Sequence, residues 1–79
     1  MAFDLFSDVI LTQDLPRDGL KSGDLGTAVE RHVIPGKEDG YRVEFFDMTG
    51  QTVAVVTVPA SSLRSPTPSD RPAVRVLAG

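Results

Sequence analysis

The sequence has no cysteine and no tryptophan, and only one histidine and one tyrosine. Disulfides cannot hold such a chain together, and a zinc site would have too few of its usual ligands. The apolar run Val9-Ile10-Leu11 is far shorter than the ~20 residues of a membrane-spanning helix. Asp4 and Asp8 stand where a secretory signal peptide carries bases. We therefore expect a cytoplasmic protein that is not exported by that route, is not a membrane protein and has no metal or cofactor.

The charge of the chain is negative and unevenly distributed. Residues 1–47 hold ten acids and five bases, a net charge of −5, whereas residues 48–79 hold one acid and three arginines, a net charge of +2. Affinity for nucleic acid comes largely from lysine and arginine displacing counterions, and an acidic body opposes the approach of a phosphate backbone. The composition therefore disfavours nucleic acid and favours a basic partner.

Alternating apolar and polar residues predict an all-β domain with almost no helix. The predicted strands are residues 8–12, 26–34, 41–46, 52–58 and 73–77. In the third of them, Tyr41, Val43 and Phe45 share the predicted core face. The fourth is almost wholly apolar, which predicts burial of both its faces. Residues 47–50 predict a tight hairpin loop closed by Gly50 in the left-handed region.

The remaining segments predict the boundaries of the domain. Gly23 and Gly26 suit positions that need a positive φ or close backbone approach. Residues 60–64 suit a single helical turn, after which the prolines and serines of residues 65–72 predict a loop or linker. We expect a barrel core over residues 1–64 and a final strand or flexible tail over residues 73–79. Seventy-nine residues cannot fill two separate sheets, so a small five-stranded barrel is the predicted architecture.

A family resemblance agrees with this architecture. The resemblance rests on Leu15-Pro16, Gly19-Leu20, Gly23-Asp24-x-Gly26-Thr27-x-Val29, Tyr41-x-Val43-Glu44-Phe45 and Asp47-x-x-Gly50-x-Thr52. Over residues 5–64 the chain resembles a bacterial family of small stand-alone domains of unknown function. Its Gly-x-x-Gly-Thr-x-Val segment is also similar to the second strand of SH3-like, KOW-like barrels and to the barrel of the nitrile hydratase β subunit. The resemblance implies a strongly bent five-stranded SH3-like barrel and carries over no catalytic residue.

The sequence does not indicate a catalytic site. His32 has no partner and nucleophile at a useful spacing, so a surface position beside Glu30 is expected. The serines of residues 61–69 lie in a turn and a loop rather than in a nucleophile elbow. The glycines of residues 19–26 precede a strand, whereas phosphate-binding loops precede a helix. We expect no enzyme activity.

The long loop between the first two strands is the predicted contact with a partner. It carries Asp14, Asp18 and Asp24, with Arg17 and Lys21 between them. Aspartates in loops chiefly make turns, and the alternating spacing of a calcium loop is absent. Carboxylates at a rim can also steer a basic protein toward its binding surface. The predicted function is a non-catalytic protein-binding module with a basic partner, and the family resemblance implies an antitoxin-like or inhibitory role for it. A free sheet edge also offers a site for a second copy.

Two alternatives remain open at this point. A KOW-like nucleic-acid-binding accessory protein would use Arg64, Arg71 and Arg75. A subunit or assembly factor of a larger enzyme would agree with the resemblance to nitrile hydratase. Phe3, Leu5 and Phe6 are expected to cap an open end of the barrel, because a small domain buries little apolar surface and needs every apolar residue. The alternative for these residues is an exposed apolar patch that binds another protein.

Overall fold

A computed structural model describes residues 2–77 and contains one antiparallel sheet of five strands. The strands are β1 (Asp8–Leu11), β2 (Leu25–His32), β3 (Gly40–Phe46), β4 (Thr52–Pro59) and β5 (Leu63–Arg64). Two three-residue 3-10 helices connect strands: Pro16–Asp18 lies between β1 and β2, and Ala60–Ser62 lies between β4 and β5. The order of the strands in the sheet is β4-β3-β2-β1-β5. The predicted all-β class with five strands is confirmed.

The sheet curls into a half-barrel, an architecture consistent with a small SH3-like barrel. Only the helix Ala60–Ser62 separates β4 from β5, although these strands lie at opposite ends of the sheet order. In a flat sheet β4 and β5 would be about four strand spacings apart, roughly 19 Å. The sheet therefore bends round a core on its concave side.

The core face of β3 is the predicted one. Tyr41, Val43 and Phe45 are buried, and Phe3 packs edge-on against Tyr41 with ring centroids 5.3 Å apart. The backbone N–H of Phe3 donates a hydrogen bond to the Tyr41 hydroxyl oxygen at 2.9 Å. This bond satisfies a polar group in the interior, where an unpaired one costs free energy.

Gly23 and Gly26 occupy the two kinds of position that their pattern predicts. Gly23 has a φ of +97°, at the last turn before β2. A Cβ at Gly26 would lie 2.6 Å from Val43 Cγ1 and 3.0 Å from the Glu44 carbonyl oxygen. Glycine is therefore required there because β2 and β3 approach more closely than a side chain permits.

The fifth strand is not the predicted one. Residues 73–77 have no regular secondary structure, and Leu63–Arg64 forms β5 by pairing with Ile10 and Leu11 of β1. Because β2 occupies the other side of β1, no free edge of β1 remains for the tail. The Pro/Ser-rich segment 65–72 thus follows the last strand, and residues 78–79 of the predicted final segment lie outside the described residues.

The prediction that β4 is covered on both faces is wrong. Val58 is buried and Val56 is half-buried, but Val53 and Val55 are 58% and 43% exposed. This strand lies at the edge of the sheet. Residues 2–77 form a single sheet with two short 3-10 helices, so no second layer covers its convex face.

The amino-terminal aromatic residues divide between the core and the surface. Phe3 is buried and caps the core as predicted, whereas Leu5 and Phe6 are exposed, so the capping prediction is wrong for these two. Phe6 also has a φ of +64°, a left-handed conformation that is unfavourable for a bulky side chain. In residues 2–77, no helix is long and apolar enough to cross a membrane.

Candidate functional site

The acidic loop, residues 13–24, is closed at its base by backbone hydrogen bonds at the end of β1. The Leu11 N–H donates to the Asp24 carbonyl at 2.9 Å, and the Gly23 N–H donates to the Leu11 carbonyl at 2.7 Å. These bonds extend the β1–β2 pairing beyond the assigned strands. The loop therefore projects from a fixed two-stranded base.

A small turn gives the tip of the acidic loop its shape. Leu15 and Leu20 form an isolated antiparallel bridge, with N–H to carbonyl distances of 2.9 and 3.1 Å, around the helix Pro16–Asp18. Proline at the start and Gly19 in the left-handed conformation at the end are typical helix boundaries. Leu20 is buried in the core cluster, so the tip is anchored to the domain.

Two of the predicted carboxylates hold the backbone of the loop. The Ser22 N–H donates to Asp14 Oδ1 at 2.9 Å, and the Lys21 N–H donates to Asp24 Oδ2 at 2.9 Å. Neither contact is the two-residue turn expected for aspartate, because Ser22 lies eight residues after Asp14 and Lys21 lies three residues before Asp24. They fix the direction of both carboxylates before any partner arrives.

Asp24 also binds an arginine from the carboxyl-terminal part of the chain. Arg75 donates from Nε to Asp24 Oδ1 at 3.1 Å and from Nη2 to Asp24 Oδ2 at 2.6 Å. The same Nη2 donates to the Gly19 carbonyl oxygen at 2.9 Å. The fork of the guanidinium matches the two carboxylate oxygens, and the carbonyl adds a third acceptor beside them. We call Asp24 and the Gly19 carbonyl the guanidinium site.

The electrostatics of the guanidinium site agree with its geometry. Partial burial alone would raise the pKa of Asp24, but the hydrogen bonds from Arg75 and from the Lys21 N–H, with the charges of both residues, outweigh it. The pKa of Asp24 is therefore lower than its ordinary value. The pKa of Arg75 is raised by its hydrogen bond to Asp24 and by the nearby charges of Asp24 and Asp14. Asp14 thus adds to the negative potential of the site.

The side chains of the other predicted residues of the loop do not hydrogen-bond to the guanidinium site, although the backbone N–H of Lys21 donates to Asp24. Asp18, Arg17 and Lys21 all have exposed positions in the loop. The structure therefore brings together Asp24 and Asp14 with the loop backbone, and leaves these three at the rim.

The other arginines of the carboxyl-terminal half have intramolecular contacts. Arg64 donates two hydrogen bonds to Asp70, at 2.9 and 2.8 Å, which lower the pKa of Asp70 and raise that of Arg64. Asp70 also accepts the Thr67 N–H at 2.7 Å, which closes a turn. Arg71 Nη1 donates to the carbonyls of Pro68 and Asp70 at 2.7 and 3.0 Å. These contacts fold the segment after β5 back on itself.

His32 and the serine cluster have structural surroundings. His32 lies on the surface with Nε2 3.3 Å from Glu30 Oε1, as its strand position predicts. Ser61 donates from its N–H and its hydroxyl to the Glu38 carboxylate at 2.8 and 3.1 Å, beside a concavity of about 510 Å³. Gln13 Nε2 donates to the buried Ser62 hydroxyl at 2.6 Å. Residues 2–77 contain no cluster of three or more His, Cys, Asp or Glu placed to hold a metal ion.

Sequence reasoning missed the contact of Arg75 with the acidic loop. Arg75 and Asp24 are 51 residues apart, and the tail around Arg75 has no periodicity that would direct it to this loop. The helix Pro16–Asp18 was also missed, although Pro16 followed by Gly19 is a local signal for a short helix.

Comparison with known families identifies a match over most of the chain. Residues 5–65 match the family described as Domain of unknown function (DUF4926), which agrees with the span of the resemblance given by the sequence motifs. No curated protein and no solved structure was found to match the chain. Because the match covers most of the chain and the whole five-stranded sheet, the protein belongs to the DUF4926 family of domains of unknown function.

Proposed function

We propose that this protein is a non-catalytic protein-binding module whose acidic loop binds an arginine side chain of a basic partner. Such a module acts in an antitoxin-like or inhibitory way, by covering a basic surface of the partner. The supporting observation is the guanidinium site: Asp24 and the Gly19 carbonyl hold Arg75 by three hydrogen bonds. A site that already binds this group within the chain has the geometry to bind it from another protein.

The charge of the surrounding surface favours the same kind of partner. Residues 1–47 have a net charge of −5, and Asp14 and Asp18 lie in the same loop as the guanidinium site. Negative potential of this extent attracts a basic protein and raises the rate of encounter at low salt. The directional fork favours arginine over lysine, since a lysine ammonium makes no paired contact with a carboxylate.

Arg75 competes with a partner's arginine for the guanidinium site. An external arginine must displace it, so the tail lowers the apparent affinity of the acidic loop for a partner. Arg75 is exposed, as are Val74 and Val76 beside it. The tail therefore gains little from burial of its apolar side chains, and displacement breaks chiefly the contacts of the guanidinium.

The nucleic-acid alternative has less support than the protein-binding proposal. Arg64 and Arg75 are ion-paired with Asp70 and Asp24, and Arg71 donates to two carbonyls. Contacts with phosphate would require these donors to exchange their present partners.

We place the proposed role in the cytoplasm of a bacterial cell, on the grounds of the cysteine-free sequence and the family resemblance.

The test is a titration followed through backbone amide resonances of the full chain. The probe is a short unstructured peptide with two arginines, and the matched peptide has lysine at both places. For Arg75→Ala we expect perturbation of the Lys21 and Ser22 amides by the arginine peptide, with about tenfold tighter binding than for the wild type. The lysine peptide should bind more weakly to this variant.

Two further variants separate the guanidinium site from general negative charge. In the Arg75→Ala background, Asp24→Asn should abolish the response of the Lys21 amide. Asp8→Asn removes an equal charge at the far end of β1 and should leave the response intact. Equal binding of both peptides, or equal losses in both variants, would refute recognition of arginine by the acidic loop.

A further inference from the structure

β4 is an open edge strand of unusual composition. The segment Thr52–Pro59 contains no charged residue, and its sole proline is the last residue. Within residues 2–77 its hydrogen-bonded neighbour is β3 alone. Soluble proteins normally protect such edges with lysine, proline or a covering element, because unpaired backbone groups invite another strand. The opposite edge, β5, is only two residues long.

The register shows which backbone groups face the open side of β4. Just past the end of the strand, the Ala60 N–H donates to the Asp39 carbonyl at 2.9 Å. Antiparallel pairing alternates every second residue, so Val56 and Val58 also direct their N–H and C=O groups toward β3. Val55 and Thr57 direct theirs to the open edge.

Pro59 fits the same alternation, since its nitrogen has no hydrogen and lies at a position that faces away from β3. At the other end of β4, the register shifts between Phe45 and Phe46, which makes Val53 the extra residue of a bulge. A regular open ladder is therefore available around Val55 and Thr57.

We propose that β4 pairs antiparallel with β4 of a second copy of this chain, about a two-fold axis at Val56. Val55 of each copy then lies opposite Thr57 of the other, and these two pairs exchange four N–H to C=O hydrogen bonds. A two-fold register centred on Val55 would place the bulged Val53 opposite Thr57 and interrupt the ladder. One centred on Thr57 would place Val55 opposite Pro59, which has no N–H to donate.

Charge and side-chain pattern make a second copy a suitable occupant of the edge. On the convex face Glu44 is beside Val55, and Arg42 is beside Thr57. When Val55 lies opposite the other copy's Thr57, each row across the joined sheet begins at Glu44 of one copy and ends at Arg42 of the other. No like charges meet at the seam, because β4 has none. On the concave face, the two half-buried Val56 side chains become direct neighbours.

This dimer is independent of the guanidinium site, since β4 and β1 are separated in the sheet by β3 and β2. Replacement of Asp24 should therefore change the binding of an arginine peptide and leave dimerisation unchanged. Failure of either proposal is thus recognisable without reference to the other.

The experiment measures the mass of the full chain in solution by sedimentation equilibrium over a range of concentrations. We expect a reversible dimer for the wild type. Val55→Lys places a charge at the seam and should raise the dissociation constant by about tenfold or more. Val33→Lys makes the same substitution at an exposed valine outside the strands and should leave it unchanged.

Hydrogen exchange of individual amides gives a second, direct readout. The Val55 and Thr57 N–H groups should exchange rapidly in dilute protein and become protected as concentration rises, while Val56 and Val58 should be protected throughout. A monomer at millimolar concentration, a dimer that tolerates Val55→Lys, or concentration-independent exchange at Val55 and Thr57 would each overturn the proposal.

Discussion

Replacement of Gly26 by alanine tests the close approach of β2 and β3. The added Cβ would lie 2.6 Å from Val43 Cγ1 and 3.0 Å from both the Glu44 carbonyl oxygen and Phe45 Cδ1. Val43 and Phe45 are fully buried, and valine has little rotamer freedom, so neither can move aside without disturbing the core. Backbone separation of the two strands is the remaining response.

The expected size of the effect follows from two opposing contributions. Overpacking of a well-packed site costs about 1–3 kcal/mol. Removing a glycine lowers the entropy of the unfolded chain, which offsets about 0.4–1 kcal/mol. We expect a net loss of roughly 1–2 kcal/mol out of a total stability of roughly 4–12 kcal/mol for a domain of this length. For domains of this size, each kcal/mol lowers Tm by about 4–8 °C.

Gly40→Ala is the matched control, because Gly40 also lies in a strand and is buried. A Cβ there would have its nearest neighbours at 3.6–3.8 Å, which is ordinary contact. Urea unfolding and thermal melts of the two variants should show a loss for Gly26→Ala and no loss, or a small gain, for Gly40→Ala. Equal stability of Gly26→Ala and the wild type would refute the steric argument, and equal losses would assign the effect to glycine replacement in general.

Three further substitutions test single features of the structure. Asp24→Asn should lower the free energy of unfolding at neutral pH, and by progressively less as pH falls. A carboxylate whose folded pKa is lowered stabilises the native state above its unfolded pKa, and this stabilisation is lost as the carboxylate is protonated. Urea titrations at neutral and acidic pH should therefore show the stability of the variant approaching that of the wild type at acidic pH. Phe6→Gly should raise stability by about 0.5–1 kcal/mol by relieving the left-handed backbone of an exposed residue, and an unchanged or lower Tm would contradict this. Tyr41→Phe should cost about 1–3 kcal/mol by leaving the Phe3 N–H unpaired, and a loss well below that range in urea unfolding would contradict it.

The strands of the sheet were predictable where the sequence carries a local period. The alternation of Tyr41, Val43 and Phe45 against polar neighbours indicates the core face of β3, and the turn at Asp47–Gly50 indicates the hairpin that follows it. Gly26 is recognisable as a special position because it is the second of two closely spaced glycines that lead directly into a strand. These signals act over a few residues, so pattern reasoning can detect them.

The position of strands within the sheet was not predictable in the same way. An apolar run such as Thr52–Pro59 is typical of a strand covered on both faces, but its order in the sheet decides its burial, and β4 lies at an edge. The short strand Leu63–Arg64 has no period of its own; it is a strand because the helix Ala60–Ser62 delivers buried Leu63 to the free side of β1. Tertiary placement overrode local preference in both places.

The candidate site shows the same limit. The acidic loop and its aspartates are identifiable from the sequence, since their number and spacing are visible directly. The binding of Arg75 to Asp24 and the Gly19 carbonyl is not, because a contact between residues 51 apart depends on the path of the tail after β5. The chemical specificity proposed for the loop, arginine over lysine, depends on that contact.

The most direct test of the protein-binding proposal is co-purification with the affinity-tagged chain from its native host, with and without nuclease. The tagged wild type is compared with Asp24→Asn and with Asp8→Asn as the matched charge control. We expect one stoichiometric basic protein that survives nuclease treatment, is retained by Asp8→Asn and is lost or strongly reduced with Asp24→Asn. Recovery that depends on RNA or DNA, or a partner retained equally by both variants, would contradict it.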